Sequence, residues 1–186
     1  MADGDRERWD ARWRAATGRA EPSPFLVALD AMLPRAGAAL DVAGGAGRNG
    51  VWLARRGLDV VCADVSPVGL VVARERAAAA GVALRTMAVD LETEPLPPGP
   101  FELIVAIDFL HRPLLTAVPD ALAAGGLFVM AQPTRTNLTR NAHPSARFLL
   151  DDGELPRLVV GLEVVRYDEG WFGDRHEARL VARKAR

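Results

Sequence analysis

Two observations predict an α/β domain, a Rossmann-like and mostly parallel sheet with helices on both faces. Short apolar runs alternate with longer helix-patterned stretches, the rhythm of successive βαβ units. A glycine-rich stretch, residues 41–50, follows the first such run and opens a helix, as in folds that bind ligands at the carboxyl ends of parallel strands. The chain's 186 residues, 49% of them hydrophobic, suit a single core.

Residues 40–43 read as the first strand and 48–56 as its helix, closed by Gly57 in the helix-ending position. Residues 59–64 form the second strand. Ser66 and Pro67 are an N-cap and first-turn pair, and their helix runs through Arg74, Glu75 and a row of alanines to Gly81. The third strand covers 82–89, a proline-rich surface loop 94–100, and a nearly all-apolar fourth strand 101–107. A helix is expected over 114–124 and a fifth strand over 126–131. Two last strands, 162–167 and 177–182, are placed to pair as a long hairpin. The polar segment 132–147 carries Arg135, Arg140 and Arg147 on the ligand side of the sheet. It is a candidate lid, with an ordinary solvated connection as the equal alternative.

Charge and cysteine usage narrow the function. The formal charge is −1, from 23 basic and 24 acidic residues, so nothing draws the chain generally to nucleic acid or anionic membrane. The single cysteine, Cys62, lies inside an apolar run and reads as core, which leaves no disulfide and no cysteine-based metal site. No uninterrupted apolar stretch approaches the roughly 20 residues that a membrane helix needs. The expectation is a cytoplasmic protein, monomer or homodimer, that takes a small-molecule substrate, with no nucleic acid, membrane or metal partner.

The loop Asp41-Val42-Ala43-Gly44-Gly45-Ala46-Gly47-Arg48-Asn49-Gly50 turns sharply, approaches a ligand closely and ends on a helix N-terminus with unpaired N–H donors. Gly45, Gly47 and Gly50 satisfy the dinucleotide pattern G-x-G-x-x-G, and Asp64 stands where a ribose-binding acid belongs, so NAD remains open at this point. Two more carboxylates separate the cofactors. Asp41 at the loop's mouth would repel a pyrophosphate but attract the ammonium and sulfonium of S-adenosylmethionine. Asp90, at the end of the third strand, is suited to accept from an adenine amine while Leu91 packs on the ring. Asp64 would hold the two ribose hydroxyls.

In order and spacing, Leu40-Asp-Val-Ala-Gly-Gly-Ala-Gly-Arg-Asn-Gly50, Ala63-Asp64-Val65-Ser66 and Val89-Asp90-Leu91 resemble the successive motifs of class I S-adenosylmethionine-dependent methyltransferases. Trp9-Asp10-Ala-Arg12-Trp13, Glu21-Pro22-Ser23-Pro24-Phe25-Leu26 and Leu110-His111-Arg112-Pro113-Leu114 are similar to TehB-like tellurite-resistance methyltransferases and related bacterial enzymes. The resemblance implies a seven-stranded sheet with an antiparallel terminal strand, and a methyltransferase domain over residues 24–186 with a cofactor-covering segment over 1–23. As cofactor contacts it implies Arg12, Trp13, Asp41, Ala43, Gly44, Gly45, Gly47, Arg48, Asn49, Asp64, Val65, Asp90, Leu91 and Ile107, with Arg12 on the methionine carboxylate.

Methyl transfer is an in-line displacement at an activated carbon, so a strong base is optional. At the end of strand four, the imidazole of His111 is a candidate base and Arg112 could hold an anionic acceptor, which makes both catalytic candidates; packing is the competing role for His111. The absence of an Asn/Asp-Pro-Pro-aromatic pattern at Ile107-Asp108-Phe109-Leu110 argues against DNA bases and glutamine as acceptors. The expected activity is transfer to a small molecule, with soft sulfur, selenium or tellurium nucleophiles favoured by the lack of an obvious base. A non-catalytic adenosyl-cofactor binder and an NAD-dependent oxidoreductase are the alternatives.

Overall fold

The computed structural model describes residues 2–15 and 20–186, so residues 1 and 16–19 of the expected covering segment lie outside the described residues. The elements are α1 (Ala2–Arg14), α2 (Pro24–Ala28), β1 (Ala38–Val42), α3 (Arg48–Arg55), β2 (Asp59–Asp64), α4 (Pro67–Ala79), β3 (Arg85–Ala88), β4 (Phe101–Ile107), α5 (Arg112–Leu115), α6 (Val118–Ala121), β5 (Leu122–Pro133), α7 (Leu155–Leu158), β6 (Glu163–Phe172) and β7 (Arg175–Arg183). They build one seven-stranded sheet of order β3-β2-β1-β4-β5-β7-β6. Strands β1 to β5 are parallel to one another, and β7 alone runs against the rest, between β5 and β6. The resemblance implied this arrangement, and the terminal hairpin is its origin.

Both faces of the central strands are covered, which is why they read as unbroken apolar runs. Leu40, Val42, Ile104, Ala106, Phe128, Met130 and Leu180 point into one core layer. Ala39, Leu103, Val105, Leu127, Val129 and Val181 point into the other, against Phe25, Leu26, Leu29 and Leu53. Adjacent residues alternate between the layers, as pleating requires, and each fully buried Leu or Ile contributes about 2–3 kcal/mol.

The helix expected over 114–124 is not continuous. Pro113 and Pro119 each sit in the first turn of a separate short helix, α5 and α6, where a missing N–H is harmless, and both bar an upstream helix from continuing through them. From Leu122 the chain is already strand, paired with Phe101. The third strand is also shorter than expected, because its residues form an exposed sheet edge rather than a buried run.

The topology collects the motifs at one end of the sheet. Strands β1, β2, β3 and β4 deliver Ala43, Asp64, Asp90 and Asp108 to their carboxyl ends, and the turn between β6 and β7 lies beside the end of β5.

Candidate functional site

The loop after β1 is shaped by backbone conformations that local sequence cannot relax. Ala43 has φ 51° and Asp108, at the end of β4, φ 64°, both left-handed positions that carry strain for residues with a side chain. Gly47, with φ 73°, makes the turn into α3. Two non-glycine residues held this way, at adjacent strand ends, mark the region where the fold over-determines the backbone.

Three carboxylates line this region in different states. Asp41 is 1% exposed and its Oδ2 accepts a 2.8 Å hydrogen bond from the Gly50 N–H. Burial pushes its pKa up to about 7, the Gly50 N–H and the charge of Arg48 working against that rise. Asp64 accepts from Gly45 N–H on Oδ2 and from Ser66 N–H on Oδ1, each at 2.8 Å, and burial raises its pKa as well. It therefore braces the loop from the end of β2, while each oxygen keeps a further lone-pair direction for a ligand hydroxyl. Asp90 uses Oδ1 to cap its own turn, accepting from Glu92 N–H at 3.0 Å. Its Oδ2 is buried with no partner, an unsatisfied acceptor that costs free energy until a donor reaches it. Beside it, Leu91 is buried at 4% exposure, and Val65 follows Asp64 half-buried. Ile107, 8% exposed, closes the end of β4.

An adenosyl cofactor fits these residues. An exocyclic amine is a donor of the kind that Asp90 Oδ2 lacks, vicinal hydroxyls suit the two-oxygen acceptor of Asp64, and positive charge near Asp41 would offset the burial of its carboxylate. The backbone of Gly44 and Gly45 lies in the same loop.

Several expected contacts are directed elsewhere by the fold. The Asn49 side chain is buried and accepts a 2.9 Å hydrogen bond from the Ser23 N–H, so it fastens the start of α2 to the loop instead of presenting its amide oxygen to a ligand. Arg48 donates to Asp108 at 3.1 Å. Arg12 is exposed, with its guanidinium 5.1 Å from the Trp9 ring centroid. Trp13, in contrast, lies on the loop itself, against Gly45 and Gly69.

Arg112, expected as an anion holder, is engaged within the protein. Its fork grips Glu154 through Nε and Nη2 at 2.6 and 2.7 Å, and Nη2 also donates to the Leu149 carbonyl at 3.2 Å. A bidentate pair of this kind consumes the face that would bind a substrate anion. The Glu154 carboxyl is held below its usual range by Arg112, as that partnership requires. His111 is half-buried and borders a cavity of about 260 Å³ with Glu92, Leu110, Pro113, Arg147 and Phe148. Among the described residues no side chain hydrogen-bonds its ring.

The segment 132–147 is fastened at several points. The Asn137 amide donates to the His143 carbonyl at 3.0 Å, and its oxygen accepts from His176 N–H at 3.1 Å and from Asn141 Nδ2 at 3.0 Å. Thr134 Oγ1 lies 2.7 Å from His176 Nδ1. His176 is thus a half-buried anchor, its ring edge-on to Trp171. The hairpin turn is also pinned from below, since Arg175 and Arg48 both bind Asp108. Asp108 therefore ties the glycine loop to the hairpin, a role with no local sequence signal because its partners lie 60 and 67 residues away.

Comparison with known proteins agrees with this geometry. A family model described as a methyltransferase domain matches residues 39–126. Among solved structures, the chain is similar to a TehB-like SAM-dependent methyltransferase from Corynebacterium glutamicum, with 25% identity, 98% of this chain and 99% of that one covered, and a TM-score of 0.70. It is similar to TehB from Haemophilus influenzae, with 20% identity, 94% and 66% covered, and a TM-score of 0.75. Magnesium protoporphyrin IX methyltransferase from Synechocystis, solved with bound SAH, gives 16% identity, full coverage of both chains (100% and 100%) and a TM-score of 0.77. No curated protein sequence matches the chain.

Proposed function

We propose that this chain, which carries the fold and the domain of a class I S-adenosylmethionine-dependent methyltransferase, transfers a methyl group to a small-molecule acceptor of soft nucleophile type, a thiol or a selenium or tellurium compound. The observation that carries the adenosyl reading is Asp90 Oδ2, a buried acceptor without a donor, beside Asp64 on the neighbouring strand end. Asp64 binds the ribose hydroxyls, Asp90 the adenine amine, and Val65 and Leu91 flank the base. Asp41 sits behind the loop as a buried countercharge, and the backbones of Ala43, Gly44, Gly45, Gly47 and Ile107 line the methionine arm. Arg48 and Asn49 act through the scaffold, by way of Asp108 and Ser23.

Bound S-adenosylmethionine supplies a methyl carbon already activated by its sulfonium. The chain then has to position the acceptor in line, exclude water and receive at most one proton. His111 is the imidazole on the cavity wall and the candidate to receive that proton. Arg112 positions the wall by holding Glu154.

Titration calorimetry with S-adenosylmethionine, S-adenosylhomocysteine and NAD tests the cofactor: micromolar binding of the first two is expected, and tight NAD binding without them overturns the reading. Methyl transfer from labelled cofactor to matched thiol, selenium, hydroxyl and amine acceptors tests the class. Turnover confined to hydroxyl or amine acceptors would sink it.

A further inference from the structure

Gln132 lies near the carboxyl end of β5 and is 2% exposed. Pleating places its side chain on the face of Phe128 and Met130, the layer that also holds Leu110 and Leu150, because Val129 and Ala131 point into the other. Strands β4 and β5 are parallel, with Ile107 beside Ala131, so Gln132 stands at the strand end from which the chain passes on to Leu110 and His111. Only half of its amide is used. Nε2 donates a short hydrogen bond to the Phe148 carbonyl. A carbonyl can only accept, which fixes the nitrogen as the atom on Phe148 and leaves Oε1 as an acceptor. That oxygen is buried and has no donor among the described residues. The next carbonyl along, that of Leu149, is taken by Arg112 at 3.2 Å. Two side chains thus hold residues 148 and 149, and the one from β5 brings an acceptor with nothing to accept.

Phe148 also lines the cavity of about 260 Å³, with Leu110, His111 and Pro113 on its other walls. Apolar walls of this kind suit the carbon frame of a small acceptor. An unsatisfied buried oxygen costs free energy that a leucine or methionine at the same place would avoid, so the amide calls for a ligand. We propose that Gln132 sets the specificity of the methyl-acceptor site: as the wall at Phe148 yields, Oε1 accepts from a hydroxyl or N–H that the acceptor carries close to its nucleophilic atom. The inference rests on the small-molecule methyltransferase reading given above. The acceptor it selects is bifunctional, with one atom for the methyl group and a separate donor for the amide. Methyl transfer consumes neither partner of this hydrogen bond, so Gln132 governs which molecule is held in line and not the displacement itself. A site with a buried acceptor discriminates strongly against an analogue lacking the donor, since binding that analogue leaves the oxygen unpaired.

Methyl transfer to mercaptoethanol and to propanethiol, which differ by a hydroxyl in place of a methyl group, reads the preference directly. The parent is expected to favour mercaptoethanol at least about tenfold in kcat/KM. In Gln132→Leu and Gln132→Met the ratio should fall to within about threefold of unity, with S-adenosylhomocysteine affinity within about threefold of the parent. Loss of the amide nitrogen also frees the Phe148 carbonyl, so both rates are expected to drop. That drop is common to the two thiols and cancels in the ratio, which a purely structural role would not move. A parent without preference overturns the inference whether or not the variants fold. So does a preference that survives in both variants, the outcome if Oε1 holds only a buried water. Ethanolamine and propylamine repeat the comparison on another nucleophile and separate the two readings. A parent that methylates neither thiol but prefers ethanolamine overturns the soft-acceptor assignment and keeps the role of Gln132. Equal rates within both pairs, or transfer to none of the four, overturn that role.

Discussion

Asp41 offers the most quantitative test of the site. Its carboxyl is 1% exposed and has one hydrogen-bond donor, the Gly50 N–H, so burial moves its pKa from 3.8 to about 7. That displacement corresponds to about 4 kcal/mol against the ionised form. The folded protein holds this proton more tightly than the unfolded chain does. The associated stability is present below pH 3.8 and is lost as pH rises through about 7. Asp41→Asn keeps an acceptor for Gly50 and cannot ionise. In urea titrations of cofactor-free protein between pH 4 and 8.5, the variant should gain about 2–4 kcal/mol relative to the parent across that window. Because other titrating groups cancel in the difference, a pH-independent gap between the two proteins would refute the buried-charge argument. The same carboxylate should help to bind a cationic ligand. At pH 6, S-adenosylmethionine binding to the parent is expected to release a proton, seen as a buffer-dependent calorimetric enthalpy, and this dependence should shrink in the variant.

Other outcomes follow from the same structure. Asp64→Ala should lose at least about tenfold in S-adenosylmethionine affinity by calorimetry, since a charge-assisted acceptor contributes about 1.5–3 kcal/mol. Arg112→Gln should cost about 1 kcal/mol of stability, discounted for the partly exposed pair, with cofactor affinity within threefold; a large affinity loss at full stability would restore a direct role for the arginine. Asp108→Ala should release the hairpin turn, raising hydrogen exchange over residues 170–176 and lowering methyl transfer more than tenfold at nearly constant cofactor affinity. Ile104→Ala, fully buried in the central strand, should destabilise the domain by about 2–5 kcal/mol in a denaturant titration.

The elements most legible in the sequence were those fixed by local chemistry. Residues 59–64 and 101–107 are strands with the expected limits, and Ser66 caps α4 through the Gly69 N–H. The interrupted region after α5 was misjudged because apolar spacing alone cannot distinguish one helix from two proline-started turns followed by a strand. Pro113 and Pro119 were the available signals, since neither fits inside a helix that continues through it.

For the site, the sequence by itself determined which acids lie at strand ends and that a glycine-rich turn joins β1 to α3, because both depend on neighbours within a few residues. The tertiary structure decided which polar groups remain available. It engaged Asn49 with Ser23, Arg112 with Glu154 and Asp108 with two arginines, and it left Asp90 Oδ2 and the Trp13 N–H without partners. The physical reason is that a side-chain hydrogen bond is chosen by distance and desolvation in the folded molecule, among residues 26 to 67 positions apart in the chain, where no local periodicity carries information.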